Sequence, residues 1–196
     1  LYILDDMEIK ERVQRSDIGK TEIPREFIRS MPKGNGNVTA MLRVVPGVQY
    51  IEDYLGAKNA GAIAPAEVSI SGGRGYENLF LLDGMSNSSL LDPANNNPYL
   101  AADVSGNAQK FFVSSWLIED IAVYDSNIPA SFDGFTGGVI DVTTKKPGGE
   151  FGGNISYRTT RSAWTHFFTD DNVNYANSNE SSEPRFEKHF FSAALN

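Results

Sequence analysis

Three different rhythms of apolar and polar residues follow one another along this chain. Residues 1 to 23, "LYILDDMEIKERVQRSDIGKTEI", start apolar and then turn densely charged without a helical stripe, which predicts an extended arm with at most one short strand. "PREFIRSMP" predicts a short helix opened by Pro24 and stopped by Pro32. Met41, Leu42, Val44 and Val45 form the apolar set of a second short helix, with Asn37 or Thr39 as its cap and Pro46-Gly47 as the turn beyond.

"AEVSISGGRGYENLFLLDGM" reads as a β-hairpin, with Val68 and Ile70 alternating before a glycine-rich turn and Leu79 to Leu82 as the return strand. Residues 85 to 115 carry no periodicity, and a connection of that length inside a compact domain is usually functional or disordered. "WLIEDIAVYDS" and "GGVIDVTTKKP" are two further apolar strands. Short strands and short helices in mixed order predict an α+β fold, a small mixed-sheet domain over 15–147 preceded by an arm at 1–14.

After Pro147 the rhythm changes. Phe151, Gly153, Ile155, Tyr157 and Thr159 lie on one face, and Gly152, Asn154, Ser156, Arg158 and Thr160 on the other. An apolar face backed by a polar one is the pattern of a transmembrane barrel wall around a wet lumen. Trp164, Phe167 and Phe168 close this segment where an interfacial aromatic girdle belongs, and "RFEKHFFSAALN" alternates again after a polar loop. Residues 148–196 are therefore expected to hold the first two antiparallel strands of a barrel and the loop between them. Two such strands leave open edges that lipid does not tolerate, so the chain looks like the front of something larger.

Composition narrows the function. A formal charge of -8 argues against nucleic acid as a partner, since phosphate binding needs clustered Lys and Arg. Cysteine is absent, which removes disulfide frameworks and Cys-ligated zinc. No apolar run reaches the ~20 residues of a membrane-spanning helix, so any membrane role falls to strands. The chain starts at Leu1 without a basic, apolar leader, as a mature or trimmed protein would. "GGRG" at 72–75 lacks the phosphate-loop spacing and is read as a tight turn. "DDNVNYANSNES" mimics a calcium loop, but Tyr175 stands where glycine is required and Ser181 where a bidentate Glu belongs. His166 and His189 have no nucleophile or ligand partner at a recognisable spacing, so no catalytic residue, metal site or cofactor is expected.

"LRVVPGVQ", "VSISGGRGYENLFLLDGM" and "IEDIAVYDSNIPASFDGFTGGVIDVTTKKP", in that order, resemble the plug domain of TonB-dependent outer-membrane receptors. Ser71 replaces the family's common Arg, "DSN" (Asp125 to Asn127) replaces Arg-Gly-Pro, and Phe132-Asp133-Gly134 replaces Tyr-Gly. The resemblance implies a bacterial outer-membrane receptor whose plug occludes a barrel and which imports an extracellular ligand with energy from TonB. Its implied partners are TonB, a siderophore, peptide, protein or glycan ligand, and the lipid of the outer membrane. By the same resemblance Asp5, Asp6, Met7, Glu8 and Ile9 form a TonB box, which pairs as an added strand. The resemblance makes the loop carrying Asn95, Asn96, Asn97 and Tyr99 a candidate for the floor of the ligand pocket, the alternative being a structural loop packed against the barrel wall. A rival expectation is a secreted or periplasmic β-rich binding or adhesion module without transport.

Overall fold

The structure is a computed structural model and describes residues 14–31, 36–50, 65–91, 93–94, 108–146, 148, 152–164 and 186–195. A hairpin of β1 (Gln14–Asp17) and β2 (Lys20–Pro24) leads into the short helix α1 (Arg25–Ser30). Pro24 sits at its N-cap, where a missing N–H costs nothing. Helix α2 (Val38–Met41) is capped by Asn37, whose side chain accepts a hydrogen bond from the Thr39 N–H at 3.3 Å. Then come β3 (Val48–Tyr50), β4 (Val68–Ile70), β5 (Leu79–Leu82), β6 (Met85–Ser86), β7 (Ile118–Tyr124) and β8 (Val139–Thr144).

Six of these strands form one mixed sheet in the order β1-β2-β7-β8-β5-β6. Its pairs are antiparallel except β5 with β8, which run parallel. Strands β3 and β4 pair with each other in a separate two-stranded sheet. The hairpin expected over 66–85 therefore does not form. Strand β4 turns away to β3, and β5 takes β8 as its neighbour instead. The arm also departs from expectation, because residues 14–24 make two strands rather than at most one.

One face of the six-stranded sheet is sealed. Ile23, Ile121, Val123, Ile140 and Phe80 are buried there and pack into one core with Ile28, Val38, Met41, Leu42, Val68 and Ile70. Helices too short to be stable alone are held by this packing. The other face, reached by the alternate residues Glu22, Asp120, Ala122, Asp141 and Thr143, is only part-covered.

A glycine pair and an asparagine lock the two sheets together. Asn78 is buried, donates to the carbonyls of Val68 and Gly75, and accepts from the Gly138 N–H. At the other end of β5, Asp83 (φ 50°) and Gly84 (φ 76°) make the left-handed two-residue turn into β6. The Asp83 carboxylate accepts from the Thr144 N–H at 2.8 Å and its hydroxyl at 2.7 Å, tying that turn to the end of β8. These bonds hold the Asp83 carboxyl below its ordinary value of 3.8. Its stabilising contribution is thus complete above that value and disappears as pH falls through the lower folded value. Asp83→Ala is expected to reduce stability at neutral pH and make it less sensitive to acid, as read by thermal melts across pH.

Strands β9 (Gly153–Arg161) and β10 (Glu187–Leu195) pair with each other in a third sheet, antiparallel and in unbroken register from Glu187–Arg161 to Leu195–Gly153. Ile155 is 86% exposed and Phe191 79%, and Tyr157 packs its ring 4.8 Å from that of Phe191 on the same face. The opposite face is polar apart from Phe190, with a 2.7 Å hydrogen bond between the Ser156 and Ser192 hydroxyls and Arg158 over the Phe190 ring.

Candidate functional site

The root of the long connection after β6 is built from hydrogen bonds, with Ala108 packed into the core beneath them. The Asn87 side chain behaves like a strand backbone, accepting from the Phe111 N–H at 3.1 Å and donating to its carbonyl at 3.2 Å. Its own carbonyl accepts from the Lys110 N–H, and the Ser89 N–H donates to Ala108. Ser88 and Gln109 form an antiparallel bridge between these two contacts. The Ser88 hydroxyl accepts from the Phe80 N–H, and the Asn87 N–H donates to the Phe80 carbonyl, so the clasp is fixed to β5. The two ends of the connection are thereby joined in register.

Large apolar side chains surround this clasp without being covered. Leu90 is 88% exposed, Phe111 68% and Leu91 62%. Gln109 is buried, yet neither end of its amide finds a partner among the described residues. Sequence reading passed over Asn87 because it lies in "SNSS", a stretch with no period; its signal is the pairing with residues more than twenty positions away.

None of the nine residues singled out from the sequence falls within this description. Asp5, Asp6, Met7, Glu8 and Ile9, and likewise Asn95, Asn96, Asn97 and Tyr99, lie outside the described residues. The segments leading to them are defined. The arm joins the sheet at Gln14, level with Glu22, Ala122 and Asp141 across four strands, while β1 runs from there toward the turn at Gly19. Strand β8 runs the other way and leaves the sheet at Thr144. Arm and strand pair are therefore attached toward the same end of the sheet. The opposite end holds the Gly19 turn, the end of β7 and the Ser71 turn, where the Ser71 hydroxyl donates to the Asp125 carbonyl. A cavity of about 290 Å³ opens at that end, lined by Ile18, Lys20, Tyr124, Asn127 and Pro129.

Among the described residues no cluster of His, Cys, Asp or Glu has the arrangement of a metal site. Two sheet carboxyls, Asp120 and Asp141, are raised above their ordinary values, first by burial and then by neighbouring carboxylates. Glu67, half-buried beside Gly75, is raised by burial as well.

The profile of the TonB-dependent receptor plug domain matches residues 12–140. The chain belongs to the TonB-dependent receptor plug domain family. YddB of Escherichia coli is 32% identical over 203 residues, an alignment that takes in all of this chain and 26% of YddB. The crystal structure of that outer membrane transporter superposes with a TM-score of 0.74 at 35% identity, over 89% of this chain and 24% of YddB. The siderophore receptor PirA of Acinetobacter baumannii shares the plug fold, with a TM-score of 0.51 at 22% identity over 74% of this chain and 19% of its own. The chain thus spans about a quarter of YddB. The plug's mixed sheet with few helices agrees with the α+β architecture expected from the sequence.

Proposed function

We propose that this chain is the plug and the first two barrel strands of a TonB-dependent outer-membrane transporter, and that it imports an extracellular ligand with energy delivered by TonB. Its compartment is the bacterial outer membrane. The observation that carries the reading is that the likeness to YddB does not stop at the plug. It runs through Pro147 into the strand pair and takes in the whole chain. There Ile155, Tyr157 and Phe191 share one face of β9 and β10, with the Arg161–Glu187 ion pair at its end, and Ser156, Arg158, Lys188 and Ser192 share the other, a pattern that supports a barrel wall.

In this reading residues 1–14 are the arm, 15–147 the plug and 148–196 the start of the barrel. The attachment of arm and barrel toward one end of the sheet supports it, because both then belong on the periplasmic side. The far end and the clasped loop are left to meet ligand. Ligand docks on the loop bearing Asn95, Asn96, Asn97 and Tyr99, the plug shifts, and TonB engages Asp5 to Ile9 as an added strand and pulls. Neutral amides suit a ligand rich in peptide or hydroxyl groups. The reading assigns no covalent chemistry.

The test uses the full-length receptor in outer membranes, screened against ferric siderophores, peptides and glycans. Uptake should require TonB, and surface binding should not. Replacing Asn95, Asn96 and Asn97 together by Ala should weaken binding by about tenfold or more, since each lost hydrogen bond is worth roughly 1 kcal/mol. Unchanged affinity in equally inserted receptor returns the loop to a structural role. Binding without any TonB-dependent uptake favours an adhesion module.

A further inference from the structure

The clasp after β6 carries an unpaired group at its centre. Its first half belongs to the sheet: the Asn87 N–H donates to the Phe80 carbonyl at 2.7 Å, and the Ser88 hydroxyl accepts from the Phe80 N–H at 2.9 Å. Its second half, residues 108–111, is held to the first by the Lys110 N–H on the Asn87 carbonyl and the Ser89 N–H on the Ala108 carbonyl. The Asn87 side chain adds its two bonds to Phe111. Of residues 108–112 only Ala108 joins the apolar core, and Lys110, Phe111 and Phe112 are exposed.

Gln109 lies inside this contact, opposite Ser88, and is 3% exposed. Neither its Nε2 nor its Oε1 has a hydrogen-bond partner among the described residues. A buried amide without partners bears its full desolvation cost at both ends, whereas each bond around it gains little net because water would replace it. Closing the clasp therefore sets weak bonds against two unpaired groups, and opening it returns Gln109 to water. Opening uncovers little apolar surface, since Leu90 and Phe111 are mostly exposed already. It also has a limit. Val113 is buried in the core and its carbonyl accepts from the Val38 N–H at 3.1 Å, while the Ser115 N–H donates to Gly36 at 2.7 Å.

We propose that the clasp is a latch, in which residues 108–111 leave and rejoin residues 87–89 as a unit under the load of the buried Gln109 amide, while Asn87 and Ser88 stay on β5 and the six-stranded sheet is undisturbed. Local opening of this kind is expected where bonds are solvent-exposed and apolar contacts few. One consequence rests on the ligand role proposed for the loop. Its two ends stand in register only while the latch is shut, so a docked ligand and a shut latch stabilise each other.

The test is hydrogen exchange at single-amide resolution in the folded full-length receptor, with no ligand added. The N–H groups of Ser89, Lys110 and Phe111 are covered only by the shut latch, whereas those of Leu79, which donates to Gly138, and Asn87 stay covered when it opens. The first three should exchange together, at least about tenfold faster than the other two. Gln109→Met removes both unpaired groups at similar length and should slow all three by about tenfold or more, leaving Leu79 and Asn87 unchanged. Gln109→Leu serves as a second shape if Met packs poorly. Asn87→Ala should speed Ser89 and Lys110 without reaching Leu79. No slowing in either Gln109 variant shows that the amide is already satisfied, as by a bound water, and overturns the latch. A change shared by Leu79 makes the opening global and overturns it as well. Neither result touches the transporter reading, which falls instead if uptake proves independent of TonB.

Discussion

A receptor carrying Ile9→Pro is expected to bind its ligand at the cell surface and fail to import it. Strand addition draws its strength from backbone hydrogen bonds, so its side-chain requirements are loose and its backbone requirements strict. Proline removes the donor at its own position and excludes the extended pairing its neighbours need. Uptake should drop to the level of cells without TonB. Ile9→Ala keeps the N–H and should retain most of it. The comparison is radiolabelled ligand retained after washing against ligand recovered inside, for both variants at matched surface abundance. Import by Ile9→Pro at the wild-type rate would remove Asp5 to Ile9 from contact with TonB.

The second large effect belongs to the plug's own assembly. Gly138 lies where a methyl group would stand 2.5 Å from Ile70 Cγ2, 2.8 Å from its Cβ and 2.9 Å from its Cδ1. Ile70 is fully buried and has nowhere to retreat. One residue earlier, a Cβ on Gly137 would meet Asn78 Oδ1 at 2.4 Å, the atom that accepts from Gly138. The Gly-Gly pair is therefore demanded by packing, at the seam where β8 passes both β5 and the β3–β4 sheet. Gly138→Ala should destabilise the plug by about 1–3 kcal/mol through overpacking. Ile70→Ala alone should cost about 2–5 kcal/mol by leaving a cavity. The double variant should lose less than the sum, because Ile70→Ala removes the Cγ2 and Cδ1 contacts and leaves only the Cβ at 2.8 Å to be relieved by a small shift. Protease resistance and melting of the receptor report all three. Strict additivity would show that the two residues do not compete for the same space.

What the sequence revealed and what it hid divide along the reach of the interactions. The opening of α1 at Pro24 and the strands β7 and β8 depend on neighbours along the chain and were legible, and the cap of α2 was narrowed to Asn37 or Thr39, of which the structure uses Asn37. The partner of β5 was not. Its parallel pairing with Val139 to Val142 joins residues about sixty positions apart, and nothing in "VSISGGRGYENLFLL" distinguishes that from a local hairpin. The β1–β2 hairpin stayed hidden because "QRSD" and "KTEIP" are largely polar, and a polar strand at a sheet edge looks like a charged arm. Of the site, the sequence located a long aperiodic loop but not its root, since the Asn87 clasp arises only once residues 87 and 111 meet.

That clasp separates two kinds of inheritance. Residues 87–89 and 108–111 hold each other and β5 through main-chain geometry and the side chains of Asn87 and Ser88, so the span they enclose can lengthen, shorten or change its chemistry without the sheet registering it. If the proposed ligand role of this loop holds, cargo is exchanged by rewriting one stretch of chain while the seam at Gly138 and the tether after Thr144 stay as they are. Asn87 is in this sense the hinge pin of an interchangeable part, with a replaceable span on one side of it and the sheet on the other.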